Sequence, residues 1–196
     1  KYSLSYREAR TVIMGNLDYH NDEKGSYVWD RYCQQAFPIH EGEMPSPNEL
    51  NIEHTWPQSR FTSKYPPSVQ KSDLHHLFPT DSMANGLRGH MEFGEVVKDT
   101  KQMPCKGIHV GTNAQGDIVF EGPTEHKGDM ARAIFYFAVR YDMQLDPVEE
   151  AVLRAWHLED PVSDEEMERN NKIEKIQGNR NSVSDHPEYF EEIAKF

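Results

Sequence analysis

The segment over residues 51–92 constrains the fold more than any other part of the chain. Glu53 and His54 lie just before Pro57, which cannot continue a central strand, so a strand is predicted to end there. Residues 73–79 supply a second β segment, and the Thr-Asp-Ser triplet after it can cap a short helix. The sequence therefore predicts a β-β-α unit.

Three polar side chains of this unit have the chemistry that phosphodiester cleavage requires. Glu53 offers an anionic oxygen and Asn85 a neutral amide oxygen, ligands that Mg²⁺ accepts while keeping positions open for substrate. His54 can accept a proton from water near neutral pH. Neighbouring residues of a regular strand point to opposite faces, so Glu53 and His54 can share a site only where the strand ends or bulges.

Further blocks extend this pattern over most of the chain. They are Asn85-Gly86-Leu87-Arg88, Gly128-Asp129-Met130-Ala131-Arg132-Ala133, Gln177-Gly178-Asn179-Arg180-Asn181 and Asp185-His186-Pro187-Glu188-Tyr189. With these blocks the chain resembles the endonuclease I family of periplasmic and secreted bacterial nucleases, which carry a His-Me (ββα-metal) finger. The resemblance implies an α+β fold, with residues 1–196 forming a single, mainly helical mixed domain built around that finger.

The resemblance also implies an activity. It implies a magnesium-dependent, largely sequence-nonspecific endonuclease that hydrolyses DNA, and RNA as well, to 5′-phosphate and 3′-hydroxyl ends. Carried over residue by residue, it makes His54 the general base and makes Glu53 and Asn85 ligands of one Mg²⁺, for which Mn²⁺ can substitute. We expect a monomer that acts in the periplasm or outside the cell and has no membrane partner.

Two arginines and one histidine near this unit are candidates for supporting roles. Arg60 and Arg88 can bind substrate phosphate or form structural salt bridges, and the sequence leaves both interpretations open. His75 is expected to support the site through hydrogen bonds in a second layer around it. A zinc site that combines the histidines is the alternative, but their positions match no familiar zinc-ligand spacing.

Two other classes of protein fit part of the pattern. One is a zinc- or calcium-dependent phosphoesterase that acts on a small substrate. The other is a nucleic-acid-binding module with an inactive site. The complete set of Glu53, His54 and Asn85 favours a catalytic protein over the second class.

The net charge of −12 is unusual for a protein that acts on nucleic acid. Binding to phosphates ordinarily gains affinity when Lys and Arg side chains release counterions. The acidic residues concentrate in the last quarter of the chain, in runs typical of solvated helix faces, whereas residues 60–106 are close to neutral. The charge is therefore expected to be polarised, and it does not exclude a nucleic-acid substrate.

The two cysteines, Cys33 and Cys105, fit no metal-ligand spacing. From the residues alone, a disulfide and a pair of buried free thiols are both open; the resemblance to an exported family favours the disulfide. No stretch approaches the roughly 20 apolar residues of a membrane span. The first residues lack the apolar run of a signal peptide, so we expect that none exists or that it has been removed.

Local patterns predict the remaining elements. Ser5 and Glu8 form a capping box for a helix that extends to Leu17, and the stretch 27–37 is predicted to hold a second helix that ends before Pro38. Loops are predicted at 38–50 and 64–72, a hairpin at 109–120, and helices after Pro123, at 147–158, at 164–177 and at 187–196. The fold is thus expected to be mainly helical around one small β element.

Overall fold

A computed structural model describes residues 4–40 and 42–196; the first three residues of the predicted domain and Glu41 lie outside the described residues. The strands are β1 (Tyr19–Asp22), β2 (Gly25–Asp30), β3 (Gln35–Ile39), β4 (Leu50–His54), β5 (Leu77–Asp81), β6 (Lys98–Asp99), β7 (His109–Thr112) and β8 (Ile118–Glu121). The helices are α1 (Tyr6–Val12), α2 (Pro67–Lys71), α3 (Ser82–Arg88), α4 (Lys127–Tyr141), α5 (Pro147–Glu159), α6 (Asp164–Gln177), α7 (Ser182–Asp185) and α8 (Tyr189–Glu192).

The strands pair into small antiparallel sheets in the orders β1-β2-β3, β4-β5 and β6-β7-β8. The prediction of one α+β domain is confirmed. The prediction of a single small β element is wrong, because the chain forms the β1-β2-β3 sheet before the β-β-α unit and the β6-β7-β8 sheet after it. No helix within the described ranges is both long and apolar enough to cross a membrane.

The predicted helix over residues 27–37 is wrong, because this stretch forms β2, a turn and β3. Its residues Tyr27-Val28-Trp29 belong to the aromatic and β-branched types that favour strands. The Asp30 carboxylate accepts hydrogen bonds from the backbone N–H groups of Tyr32 and Cys33, which fixes the turn. It also accepts one from Asp81 N on β5, so the turn depends on a segment distant in sequence.

Several helices follow their predicted signals. Ser5 Oγ accepts from Glu8 N, and the Glu8 carboxylate accepts from Ser5 N, so the capping box of α1 is present. After α1 the chain continues through a wider π-helical turn to Leu17. The helix α6 ends at Gly178, whose φ of +83° is the left-handed conformation that glycine adopts readily. Part of the predicted loop over residues 64–72 is instead the helix α2. The tail helix α8 is shorter than the predicted range of 187–196.

The β4–β5 ribbon lies between two apolar cores. Leu50 and Ile52 of β4 pack into the smaller core, which also contains α1 residues such as Ala9. Trp56, just after β4, packs into the larger core around α4, where its ring stacks on Phe137 with centroids 5.2 Å apart. Packing on both sides holds the end of β4 in place.

Cys33 and Cys105 form a disulfide with a Cα–Cα distance of 5.5 Å. It joins the turn between β2 and β3 to the loop before β7. The disulfide alternative is therefore confirmed, and the free-thiol alternative is excluded.

Candidate active site

The predicted β-β-α order is present as β4, β5 and α3. In the ribbon, Glu53 is opposite Phe78 and His54 is opposite Leu77. The helix α3 follows β5 directly, and the Asp81 side chain caps it by accepting from Ala84 N at 2.8 Å. These contacts place the first turns of α3 beside the end of β4.

One pocket of about 350 Å³ brings the three predicted side chains together. Its lining includes Glu53, His54 and Asn85. His54 is the last residue of β4, so it is not bound by the alternation of a continuing strand. Because β4 ends at His54, the side chains of Glu53 and His54 can line the same pocket although the two residues are neighbours in sequence.

Two side chains contact the Glu53 carboxylate, which lines this pocket. Glu53 is only 2 % exposed; its Oε1 accepts a hydrogen bond from Tyr32 Oη at 2.9 Å and forms a salt bridge with Arg88 Nη1 at 2.8 Å. Burial raises the pKa of Glu53, while the positive charge of Arg88 opposes that rise. Within the described part of the chain, Oε2 makes no hydrogen bond, so one carboxylate oxygen remains available for a cation.

His54 is 7 % exposed and has a defined tautomer. Its Nε2 lies 3.1 Å from the carbonyl oxygen of Lys71. A carbonyl only accepts, so Nε2 carries the hydrogen and Nδ1 carries the lone pair, which faces the Gln58 amide nitrogen at 3.3 Å. Burial, followed by the nearby His76, lowers the pKa of His54 to about 3. The imidazole is therefore neutral at physiological pH and has the form of a base.

Asn85 is oriented by its neighbour on β4. Its Nδ2 donates to Asn51 Oδ1 at 2.7 Å, which leaves the Asn85 amide oxygen as the free end of the group. This neutral oxygen and the anionic Glu53 Oε2 belong to two residues that line the same pocket. The donor set fits a hard cation such as Mg²⁺, which is typically held by few protein oxygens and retains water.

Arg88 and Arg60 are both engaged in structural contacts. Arg88 is 1 % exposed; it forms a salt bridge with Glu53 and donates to the carbonyl oxygens of His54 at 3.1 Å and Thr55 at 2.8 Å. Arg60 donates to Glu149 at 3.3 Å, and its guanidinium lies 4.9 Å from the centre of the Trp56 ring. These contacts favour the salt-bridge interpretation for both arginines over phosphate binding.

His75 lies away from the imidazole of His54. Its Nε2 is 3.0 Å from the Asn179 carbonyl oxygen, and its ring packs on Tyr136. The neighbour of His54 is instead His76, with ring centroids 5.5 Å apart. In the described ranges no three His, Cys, Asp or Glu side chains are grouped to hold a metal ion.

Four contacts of the site were not predicted from the sequence. Tyr32 holds Glu53, Asn51 orients Asn85, the Lys71 carbonyl orients His54, and Gln58 Nε2 lies 3.3 Å from His54 Nδ1. Of these, the contact of Asn51 could have been expected from the sequence, because Asn51 precedes Glu53 by two residues and side chains two apart in a strand lie on the same face. The other contacts depend on the tertiary fold.

We expect mild acid to lower the free energy of unfolding, because His75 and His76 are buried in the neutral form. Burial lowers the pKa of His75 and of His76 to about 4 each, whereas histidine in an unfolded chain titrates near pH ~6.5. Between these values the unfolded chain binds protons that the folded chain does not. The free energy of unfolding therefore falls as pH falls from ~6.5 to ~4, by about 1 kcal/mol per histidine between pH ~7 and ~5.5.

Urea unfolding at the two pH values, at constant ionic strength and with the disulfide intact, measures this loss. The variant His90→Asn, which removes an exposed histidine, should show the same pH dependence as the parent protein. Equal free energies of unfolding at both pH values would contradict the neutral burial of His75 and His76.

The pocket thus combines a neutral imidazole, a buried carboxylate and an amide. Such groups are typical of the active site of a hydrolytic enzyme. The chain belongs to the endonuclease I family, whose model matches residues 3–188.

Relatives with descriptive names are consistent with this membership. An extracellular ribonuclease of Bacillus subtilis is 37% identical over 74% of this chain and 54% of its own length. An extracellular ribonuclease of Bacillus amyloliquefaciens is 35% identical over 76% of this chain and 55% of its own length. A periplasmic deoxyribonuclease of Aeromonas hydrophila is 31% identical over 57% of this chain and 46% of its own length. The chain spans about half the length of these relatives.

Proposed function

We propose that this protein is a magnesium-dependent endonuclease that hydrolyses the phosphodiester bonds of DNA and RNA. The observation that carries the proposal is the convergence of Glu53, His54 and Asn85 on one pocket. Family membership supports the reaction class. In this proposal the β4–β5–α3 unit is a His-Me finger.

The side chains around the pocket have separate tasks in the proposed reaction. His54 Nδ1 accepts the proton of the attacking water, while the Lys71 carbonyl holds the imidazole in the required tautomer. Glu53 Oε2 and the Asn85 amide oxygen would hold one Mg²⁺, with Arg88 and Tyr32 fixing the carboxylate. When bound, the cation supplies positive charge that stabilises the phosphorane-like transition state. The bond to the 3′ oxygen breaks, and this oxygen takes a proton from solvent water, which gives 5′-phosphate and 3′-hydroxyl ends.

The proposed substrate range is broad. Relatives named as a ribonuclease and as a deoxyribonuclease both match this chain, which supports action on RNA as well as DNA. Contacts to the phosphate backbone carry no sequence information directly. We therefore propose cleavage that is largely independent of base sequence.

The proposed setting is the periplasm or the outside of the cell, with the protein acting as a monomer. The disulfide supports an oxidising compartment, since such bonds persist there and are rare in the cytosol. The names of the relatives, extracellular or periplasmic, point the same way. Light scattering of the purified protein tests the monomer.

Incubation of purified protein with plasmid DNA and with a structured RNA tests the activity. We expect degradation with Mg²⁺ or Mn²⁺, none after EDTA, and fragments that a 5′-phosphate-dependent exonuclease can digest. Activity restricted to Zn²⁺ or Ca²⁺, or gel-shift binding without cleavage in Mg²⁺, would favour one of the other two classes of protein.

The two proposed ligands make a prediction about metal demand. Glu53→Gln removes the anionic charge, and Asn85→Ala removes the neutral oxygen, so both should raise the Mg²⁺ concentration for half-maximal cleavage. The rise should be larger for Glu53→Gln, because a hard dication favours an anionic ligand. Calorimetric titration with Mg²⁺ in the absence of substrate measures the same change directly.

The matched control is His90→Asn, since His90 is exposed and lines the same pocket without an assigned ligand role. Its Mg²⁺ affinity should equal that of the parent protein. Unchanged affinity in both Glu53→Gln and Asn85→Ala would place the metal elsewhere.

A further inference from the structure

A phosphodiester-cleaving site needs positive charge on the phosphate in addition to its cation. The two arginines nearest the pocket in sequence are committed elsewhere. The Arg88 guanidinium is buried against Glu53 and backbone carbonyls, and the Arg60 guanidinium pairs with Glu149. Neither guanidinium is therefore free to bind a phosphate of the substrate, and another side chain can supply that charge.

Lys71, the last residue of α2, lies against the proposed base. Its backbone carbonyl accepts from His54 Nε2. Its ammonium is 4.7 Å from the centre of the Tyr6 ring, and that ring is 5.5 Å from the imidazole of His54. Two successive contacts thus connect the ammonium with the imidazole.

The Lys71 ammonium is held in position but keeps its charge unneutralised. In the described part of the chain it forms no ion pair, unlike the ammonium groups of Lys64, Lys127 and Lys172. A cation over an aromatic face is attracted by the ring without losing its ability to donate hydrogen bonds. Lys71 and Tyr6 are both half-buried, so the ammonium is restrained yet still reached by solvent.

We propose that Lys71 binds a phosphate of the nucleic-acid strand that is cut, with its ammonium held by Tyr6, whose ring also contacts His54. This inference rests on the proposed function and names a substrate-binding residue for it. Lysine binds phosphate as a point charge without bidentate geometry, so the contact suits the backbone of DNA and RNA alike. It requires no contact with a base.

The side chain can be tested apart from the backbone, because the carbonyl that orients His54 survives any substitution. Lys71→Met keeps the apolar stem and removes the charge. We expect kcat/KM on a short DNA duplex to fall by about 10- to 100-fold, the range of a charge-assisted hydrogen bond. The Mg²⁺ concentration for half-maximal activity should stay the same, and Lys71→Arg should restore most of the loss.

Salt dependence separates phosphate binding from a structural role. In the slowly cleaving His54→Ala background, Lys71→Met should make the slope of log affinity against log salt shallower by about 0.9, the effect of one lost phosphate contact. The matched control is Lys101→Met, which removes an exposed lysine next to β6 and should leave both slope and kcat/KM unchanged. Thermal unfolding of each variant checks that the fold is intact.

The outcomes distinguish this inference from the proposed function. If the parent protein cleaves and Lys71→Met behaves like Lys101→Met, Lys71 does not bind phosphate. The same conclusion follows if Lys71→Met loses activity with an unchanged salt slope and Lys71→Arg fails to restore it. A parent protein that cleaves neither DNA nor RNA would instead overturn the proposed function.

Discussion

His54→Ala is expected to cleave DNA about 10²- to 10⁴-fold more slowly than the parent protein, the usual contribution of a general base. The substitution removes Nδ1, the nitrogen that carries the lone pair while Nε2 is held by the Lys71 carbonyl. It leaves the Glu53–Arg88 pair and the Asn85–Asn51 hydrogen bond untouched. Single-turnover cleavage with saturating Mg²⁺ measures the loss in the chemical step.

Binding and folding serve as controls for this variant. His54→Ala should bind a short duplex and Mg²⁺ as the parent protein does, because neither proposed ligand is altered. His90→Asn, on the rim of the same pocket, should cleave at nearly the parent rate. A His54→Ala variant with near-parent cleavage would remove His54 from the proton transfer.

The β-β-α unit was predictable because its signals are local. Pro57 marks where β4 can no longer pair, and Asp81 has the residue type that caps a helix. Both act within a few residues, so they can be read before any tertiary contact is known. The position of Asn85 then follows from the direct connection between β5 and α3.

The sheet β1-β2-β3 was missed because its decisive contacts are distant in sequence. Asp30 fixes the turn after β2 partly through the backbone of Asp81, and Tyr32 bonds to Glu53. The aromatic and β-branched residues of this stretch favour strands, but the turn and the position of the sheet depend on these distant contacts.

The roles of the residues that support the site could not be decided from the sequence for the same reason. Arg88 follows Asn85 by three residues, and its sequence position fits phosphate binding as well as a salt bridge. The buried position of Glu53 decides for the salt bridge. Of the neighbouring residues His75 and His76, the sequence cannot show which one faces His54, since that depends on how the turn before β5 packs against α4.

Removal of the disulfide, in a Cys33→Ser and Cys105→Ser double variant, is expected to lower the free energy of unfolding by about 4 kcal/mol in the chain-entropy model. The bond joins residues 72 apart, so its loss frees a long loop in the unfolded chain. Such a change corresponds to roughly a thousandfold shift in the folding equilibrium. Urea unfolding of the parent and the double variant at the same pH measures it.

The disulfide also links stability to the site, because Cys33 directly follows Tyr32, whose hydroxyl group holds Glu53. The double variant should therefore need more Mg²⁺ for half-maximal cleavage even where it remains folded. Dithiothreitol should destabilise the parent protein and leave the double variant unchanged, which separates reduction from general effects of the reagent. If the two proteins unfold at the same urea concentration, the bond does not restrict the unfolded chain, and the apolar packing around Cys33 and Cys105 is sufficient to hold the two segments together.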